Sequence, residues 1–287
     1  SGHISNEESH ALMAELNAAN LYPGLRFIPG VSYRHIMVAP GLFDGLKTSA
    51  PHDILDQDVA PYIPHGIEAA STVQEIMTAA EKVLAESQIN KDRIAAGKSP
   101  ATMIWPWSQG PIPQFPSFES EHGKTGGIVT AVDLLKGLAN LSALVAPDVD
   151  GATGFTDTNY EGKVAAALDI LKDHDFCYLH IEAPDEAGHM GRVDIKQDAI
   201  EDFDKKVVGP ILDYQKKNPD TVVMVLPDHP TPCAIRTHTH EPIPYCMSYP
   251  NMPTPSGKNY DEESARSTGI EYQTPWDLLK DFLAKTP

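Results

Sequence analysis

Apolar residues recur along this chain in two rhythms, one helical and one strand-like. In SNEESHALMAELNAANL (5–21), Leu12, Met13 and Leu16 stand at helical spacing behind Ser5 and Glu8, a capping-box pair, which predicts an amphipathic helix. LRFIPGVSYRHIMVA (25–39) is rich in β-branched and aromatic residues and is broken by Pro-Gly, the pattern of two short strands around a turn. A stretch without period, 44–66, predicts a long ordered loop, with His52 and Asp53 in loop-capping roles. Thr72 and Glu75 offer a second capping box ahead of the helical face of Ile76, Met77, Ala80, Val83 and Leu84. ATMIW (101–105) reads as a strand.

PWSQGPIPQFPSF (106–118) then interrupts both rhythms with four prolines, and the domain boundary is expected there, dividing the chain into 1–112 and 113–287. Trp105, Trp107 and Gln109 are expected at the hinge. Beyond it, strands and helices alternate: GIVT, then helical AVDLLKGLANL and YEGKVAAALDILK, strand DFCYLHI, a long helix over 195–215, strand TVVMVLP, and a closing helix with Thr274 as N-cap and Pro275 in its first turn. Strands separated by helices predict an α/β fold with a largely parallel sheet covered on both faces.

Charge narrows the function. Lysine and arginine total 22 against 40 acidic residues, a formal net charge of −18, which argues against nucleic acid or an anionic membrane as partner. A small anion remains compatible if a metal reverses the field inside a cleft. Cys177, Cys233 and Cys246 are too few and too irregularly spaced for a disulfide framework or a cysteine zinc site. No run approaches the ~20 apolar residues of a membrane span and no signal peptide is visible, so a soluble, cytoplasmic protein is expected. The chain opens SGHISNEE without an initiator methionine, and a piece of a longer protein is expected.

Candidate chemistry gathers at predicted strand ends. EAPDEAGHMG (182–191) follows one strand and PDHP, with Asp228 and His229, follows another, and ligands of open α/β sheets bind at the carboxyl ends of strands. Asp185 and His189 are four apart, so a helical turn beginning near Pro184 points both side chains the same way. RTHTHEPIP adds His238 and His240. Oxygen and imidazole donors together suit manganese or zinc, whereas magnesium alone prefers oxygen. Two Asp/His pairs and a further histidine exceed one tetrahedral ion. Two divalent ions are therefore expected, manganese first, in the arrangement that phosphoryl transfer uses.

Through WPWSQG (105–110), GATGFTDTNYEGK (151–163), EAPDEAGHMG, PDHPTP (227–232) and HTHEPIP (238–244), in order, the chain resembles the archaeal-type cofactor-independent phosphoglycerate mutases of the alkaline phosphatase superfamily. The resemblance implies an alkaline-phosphatase-like, mainly parallel sheet flanked by helices with a smaller inserted α/β domain. Residues 1–112 would be the inserted substrate domain and 113–287 the C-terminal part of the metal-binding core. It implies interconversion of 3- and 2-phosphoglycerate through a phosphorylated enzyme, with a small phosphorylated hydroxy acid as substrate.

One metal would take Asp185, His189 and His238, leaving His240 as a surface loop histidine. The other would take Asp228 and His229, together with an aspartate from an Asp-Gly segment and a serine or threonine nucleophile. Neither of these last two is found in the chain, which is expected to be a fragment. Lys136 is similar to the family's active-site lysine, His3 and Arg34 are candidates for contacts to substrate, and Glu182 and Glu186 for orienting the histidines. A homoserine-kinase-type phosphotransferase and a noncatalytic metal-binding module are the alternative readings.

Overall fold

In the computed structural model the described residues are 1–2, 4–51, 54, 57–252 and 256–285. His3, His52 and Asp53 lie outside them. The chain divides into two compact units, Ser1–Pro113 and Gln114–Pro287, within the proline-rich stretch.

In the first unit, helix α1 (Asn6–Ala18) opens on the expected capping box. The Ser5 hydroxyl accepts the Glu8 amide at 3.2 Å and the Glu8 carboxylate accepts the Ser5 amide at 3.4 Å. Strands β1 (Arg26–Ile28) and β2 (Ile36–Val38) form the expected antiparallel hairpin. Helix α2 (Ala70–Glu86) begins ahead of Thr72, and Ala69 caps it without a side-chain bond. The second capping box therefore does not form, because Ala70 and Val73 are both buried in the core and draw the helix start back to them.

Helix α3 (Gln88–Ala95) explains why 101–105 is not a strand. The Asn90 amide on α3 bonds the Ala101 amide at 2.9 Å and its carbonyl at 2.7 Å, taking the place of a neighbouring strand. Two apolar clusters fill this unit, one around Leu12, Leu16 and Leu84, the other around Val73, Ile76 and Met77.

The second unit holds α4 (Phe118–His122), β3 (Gly126–Val129), α5 (Asp133–Leu141), α6 (Tyr160–Ile170) and β4 (Phe176–Leu179). β3 and β4 pair in parallel, Gly126 opposite Phe176, and Val145 adds a parallel bridge to Gly127. Ala167 and Ile170 of α6 pack on Val129 of β3, so the crossover helix covers the sheet as the alternation predicts. Helix α7 (Ala183–His189) follows β4 at once.

The long helix is found as α8 (Val193–Phe203) and α9 (Gly209–Lys217), joined by a π-helical turn over Asp204–Val208. Pro210 has no amide to offer Lys206 and its ring would crowd that carbonyl; the wider turn, closed by Gly209 N–H on Asp204 C=O, accommodates it. Strands β5 (Val223–Val225) and β6 (Cys246–Ser248) pair antiparallel, and α10 (Glu262–Arg266) and α11 (Pro275–Ala284) complete the unit. Thr274 caps α11 as expected.

The α/β class stands, but the strands described pair two by two, and β3–β4 is the parallel pair among them. The apolar run 221–227 has half-buried residues at Val223–Val225 and pairs with β6. No helix among the described residues is long and apolar enough to cross a membrane.

Candidate metal centre

Helix α7 is short and opens with proline in its first turn, and this places Asp185 and His189 one turn apart on one face. The loop after β5 brings Asp228, His229 and Thr231 to the same place, and the loop beyond it brings His238. His189 Nε2 lies 3.2 Å from Asp185 Oδ2 and 3.1 Å from His238 Nε2. His238 Nε2 lies 3.4 Å from Asp185 Oδ1, and His229 Nε2 lies 3.3 Å from Asp228 Oδ2. The His229 and His238 rings overlap with centroids 3.7 Å apart. Asp185, His229 and His238 each offer a ligand atom within 4.8 Å of the others.

The hydrogen bonds fix which imidazole nitrogens carry protons. His189 Nδ1 faces the Arg236 carbonyl at 3.0 Å, an acceptor, so Nδ1 is the N–H and Nε2 the lone pair in the neutral ring. Thr231, buried, gives its hydroxyl proton to Asp185 Oδ1 and accepts from His229 Nδ1 at 3.2 Å. His229 Nε2 is then also a lone pair, and it faces Asp228. Two imidazole lone pairs thus point at carboxylate oxygens. Such a meeting is repulsive unless a proton or a cation lies between, and a divalent cation satisfies all of these donors at once. The donor types fit a divalent cation, and the three that could share one ion are Asp185, His229 and His238, with His189 against Asp185 and Asp228 against His229.

Close packing supports the arrangement. A Cβ on Gly188 would stand 2.5 Å from the Thr231 carbonyl, so only glycine lets α7 approach the loop that carries Thr231. Lys196 Nζ of α8 donates to the same carbonyl at 2.7 Å.

The Arg236 carbonyl orients His189 and the Thr231 hydroxyl orients His229; among the described residues neither Glu182 nor Glu186 is bonded to these two rings. Lys136 of α5 is ion-paired with Asp148 at 2.5 Å, with no bond to the cluster. Arg34 lies over the Tyr33 ring, 5.4 Å from its centroid, in the first unit.

Residues beyond the expected set also belong here. His180, just past β4, bonds Thr130 Oγ1 at 3.3 Å. Burial holds its pKa below the ordinary range, opposed by the field of Asp228. Burial raises the Glu182 carboxyl, and the carboxylates of Glu186 and Asp185 raise it further. The signals were present: a histidine closing a strand and a threonine inside PDHPTP.

An α/β fold whose strand ends gather carboxylates and imidazole lone pairs defines a metalloenzyme, and the profile of the Metalloenzyme superfamily matches residues 43–270. A Methanosarcina mazei protein named 2,3-bisphosphoglycerate-independent phosphoglycerate mutase is 42% identical over 282 residues, covering 97% of this chain and 70% of its own length. A Geobacter sulfurreducens protein named as a probable enzyme of the same kind is 41% identical, covering 98% and 71%. Among solved structures, a Pyrococcus horikoshii protein superposes with a TM-score of 0.79 at 23% identity, covering 100% of this chain and 71% of its own. The cofactor-independent phosphoglycerate mutase of Thermoplasma acidophilum superposes with a TM-score of 0.63 at 23% identity, covering 96% and 69%. The chain belongs to the 2,3-bisphosphoglycerate-independent phosphoglycerate mutase family of the metalloenzyme superfamily.

Proposed function

We propose that the chain carries the metal-binding part of an enzyme that interconverts 3-phosphoglycerate and 2-phosphoglycerate by way of a phosphorylated serine or threonine. The observation that carries this reading is the convergence of the His189 and His229 lone pairs on Asp185 and Asp228. Asp185, His189 and His238, and Asp228 with His229, would hold divalent cations there, which would supply positive charge for the transferring phosphoryl and lower the pKa of an attacking hydroxyl.

The chain's own residues prepare that place. Thr231 holds Asp185 by its hydroxyl and fixes the His229 tautomer, and the Arg236 carbonyl fixes that of His189. Thr130 accepts the Val132 amide at 3.0 Å and shares a hydrogen bond with His180 Nδ1 at 3.3 Å, which fixes the His180 ring and leaves its Nε2 free to face the site. A half-buried imidazole whose pKa is held below the ordinary range can bond a phosphoryl oxygen without adding charge. The identities of the ions, manganese first, and Lys136, His3 and Arg34 as contacts to substrate belong to the same proposal.

The test is a coupled mutase assay on 3-phosphoglycerate with added Mn²⁺, after chelation, and with Asp185→Asn, beside an arm with ATP and homoserine. Activity on 3-phosphoglycerate that needs the cation and is lost in the variant supports the reading. Cation-dependent phosphorylation of homoserine alone replaces it with the kinase reading, and Mn²⁺ binding without either activity favours the noncatalytic module.

A further inference from the structure

Lys163 is fully buried on α6, on the helix face it shares with Tyr160, Val164 and Ala167. A lysine is kept in such a place only when its charge is answered. Its Nζ donates to the Thr153 carbonyl at 3.1 Å, and it lies in the field of Glu182, which opposes the lowering of its pKa by burial.

Thr153 belongs to a loop locked by its own side chains. Its amide donates to Thr158 Oγ1 at 3.0 Å, its hydroxyl donates to Asp157 Oδ1 at 2.5 Å, and Asn159 caps α6 by accepting the Gly162 amide at 2.8 Å. The next residue, Gly154, makes the notch that receives Glu182, since a Cβ there would collide with Glu182 Oε2.

Glu182 in turn sets the start of α7. Its backbone carbonyl accepts the Asp185 amide at 2.9 Å and the Glu186 amide at 3.2 Å. A continuous chain of contacts therefore runs from the Lys163 ammonium through Thr153 and Gly154 to Glu182, and through the first turn of α7 to Asp185.

We propose that Lys163 is a positioning residue for the metal centre: it ties the 151–158 loop to Glu182 so that Asp185 meets its histidines. The proposal rests on the reading of Asp185, His189 and His238 as a cation site. Two roles for Lys163 have opposite signs. If the lysine acted only as a nearby positive charge, removing it would tighten cation binding by relieving repulsion. If it positions Asp185, removing it weakens binding as the loss of an outer-shell partner does, by roughly 10- to 100-fold.

The experiment is calorimetric titration of Mn²⁺ into the full chain and its Lys163→Met, Lys163→Arg and Gly154→Ala variants, with circular dichroism to check folding. Lys163→Met should weaken Mn²⁺ by about tenfold or more, Gly154→Ala should weaken it less, since it pushes aside only the flexible end of Glu182, and Lys163→Arg should recover part of the loss. Gly154→Ala keeps the lysine and its charge and displaces only Glu182. It also decides the question if Lys163→Met fails to fold. Unchanged or tighter Mn²⁺ binding in a folded variant overturns the proposal while leaving the cation site standing. No saturable Mn²⁺ binding to the unaltered chain overturns both together.

Discussion

Two polar clusters, one in each unit, are built on opposite principles. Around Arg93, only 3% exposed at the side chain, every guanidinium nitrogen meets an acceptor: Nη1 meets Glu8 Oε2 at 2.6 Å, Nη2 meets the Ser1 and Ser99 carbonyls at 2.5 and 2.8 Å, and Nε meets Ser99 again at 3.1 Å. Around Asp185, beside the one hydroxyl that Thr231 donates, the imidazole lone pairs of His189 and His229 face the carboxylates of Asp185 and Asp228. The first cluster is complete as it stands, and its work is structural. The second leaves lone pairs facing carboxylates, the arrangement that a bound cation would complete.

Substitution breaks or sharpens that contrast. Asp185→Asn should cost about 100-fold or more in Mn²⁺ affinity, beyond what loss of an outer-shell partner costs. It should leave the melting temperature of the cation-free protein unchanged or higher, since it removes a repulsive charge. A large loss of stability instead would make the two clusters alike. Arg93→Ala should do the reverse, costing about 2 kcal/mol in urea unfolding through lost hydrogen bonds of a buried group while Mn²⁺ affinity holds.

Thr231→Val removes a donor to Asp185 and the acceptor for His229, and should lower Mn²⁺ affinity about tenfold. The smallest effect belongs to Asp175, a self-complementary contact inside the second unit. Its carboxylate accepts the Thr125 amide at 2.8 Å and hydroxyl at 3.2 Å, and these bonds, the amide first, hold its pKa below the ordinary range. A depressed folded-state pKa contributes stability above the unfolded value of about 3.9 that is lost as pH falls through the folded value. Melting of Asp175→Asn should therefore fall below that of the unaltered chain at neutral pH and rejoin it in acid; a gap independent of pH would show that the carboxylate charge plays no part.

What was legible in the chain depends on the range of the forces involved. The α1 capping box, the β1–β2 hairpin and the Thr274 cap are local, and residues within a few positions of one another carry them. The missing cap on α2 and the missing strand at 101–105 were decided by distant partners, the core around Val73 and the Asn90 side chain on another helix. Asp185, His189, Asp228 and His229 were legible as candidate donors because they sit on a helical turn or just past a strand, and His238, in the loop beyond, only through its motif. Thr231 and His180 were harder to see. A hydroxyl that holds a carboxylate, and a histidine tied to a threonine fifty positions away, have no periodic signature, and only the parallel pairing of β3 and β4 brings Thr130 and His180 together.

The central claim is that the lone pairs gathered at Asp185 and Asp228 hold divalent cations. Crystals grown with Mn²⁺ and measured at the manganese absorption edge test it most directly. Anomalous peaks are expected within coordinating distance of Asp185, His189 and His238 and at Asp228 with His229. A map with no peak there, or with manganese only at other surface carboxylates, contradicts it.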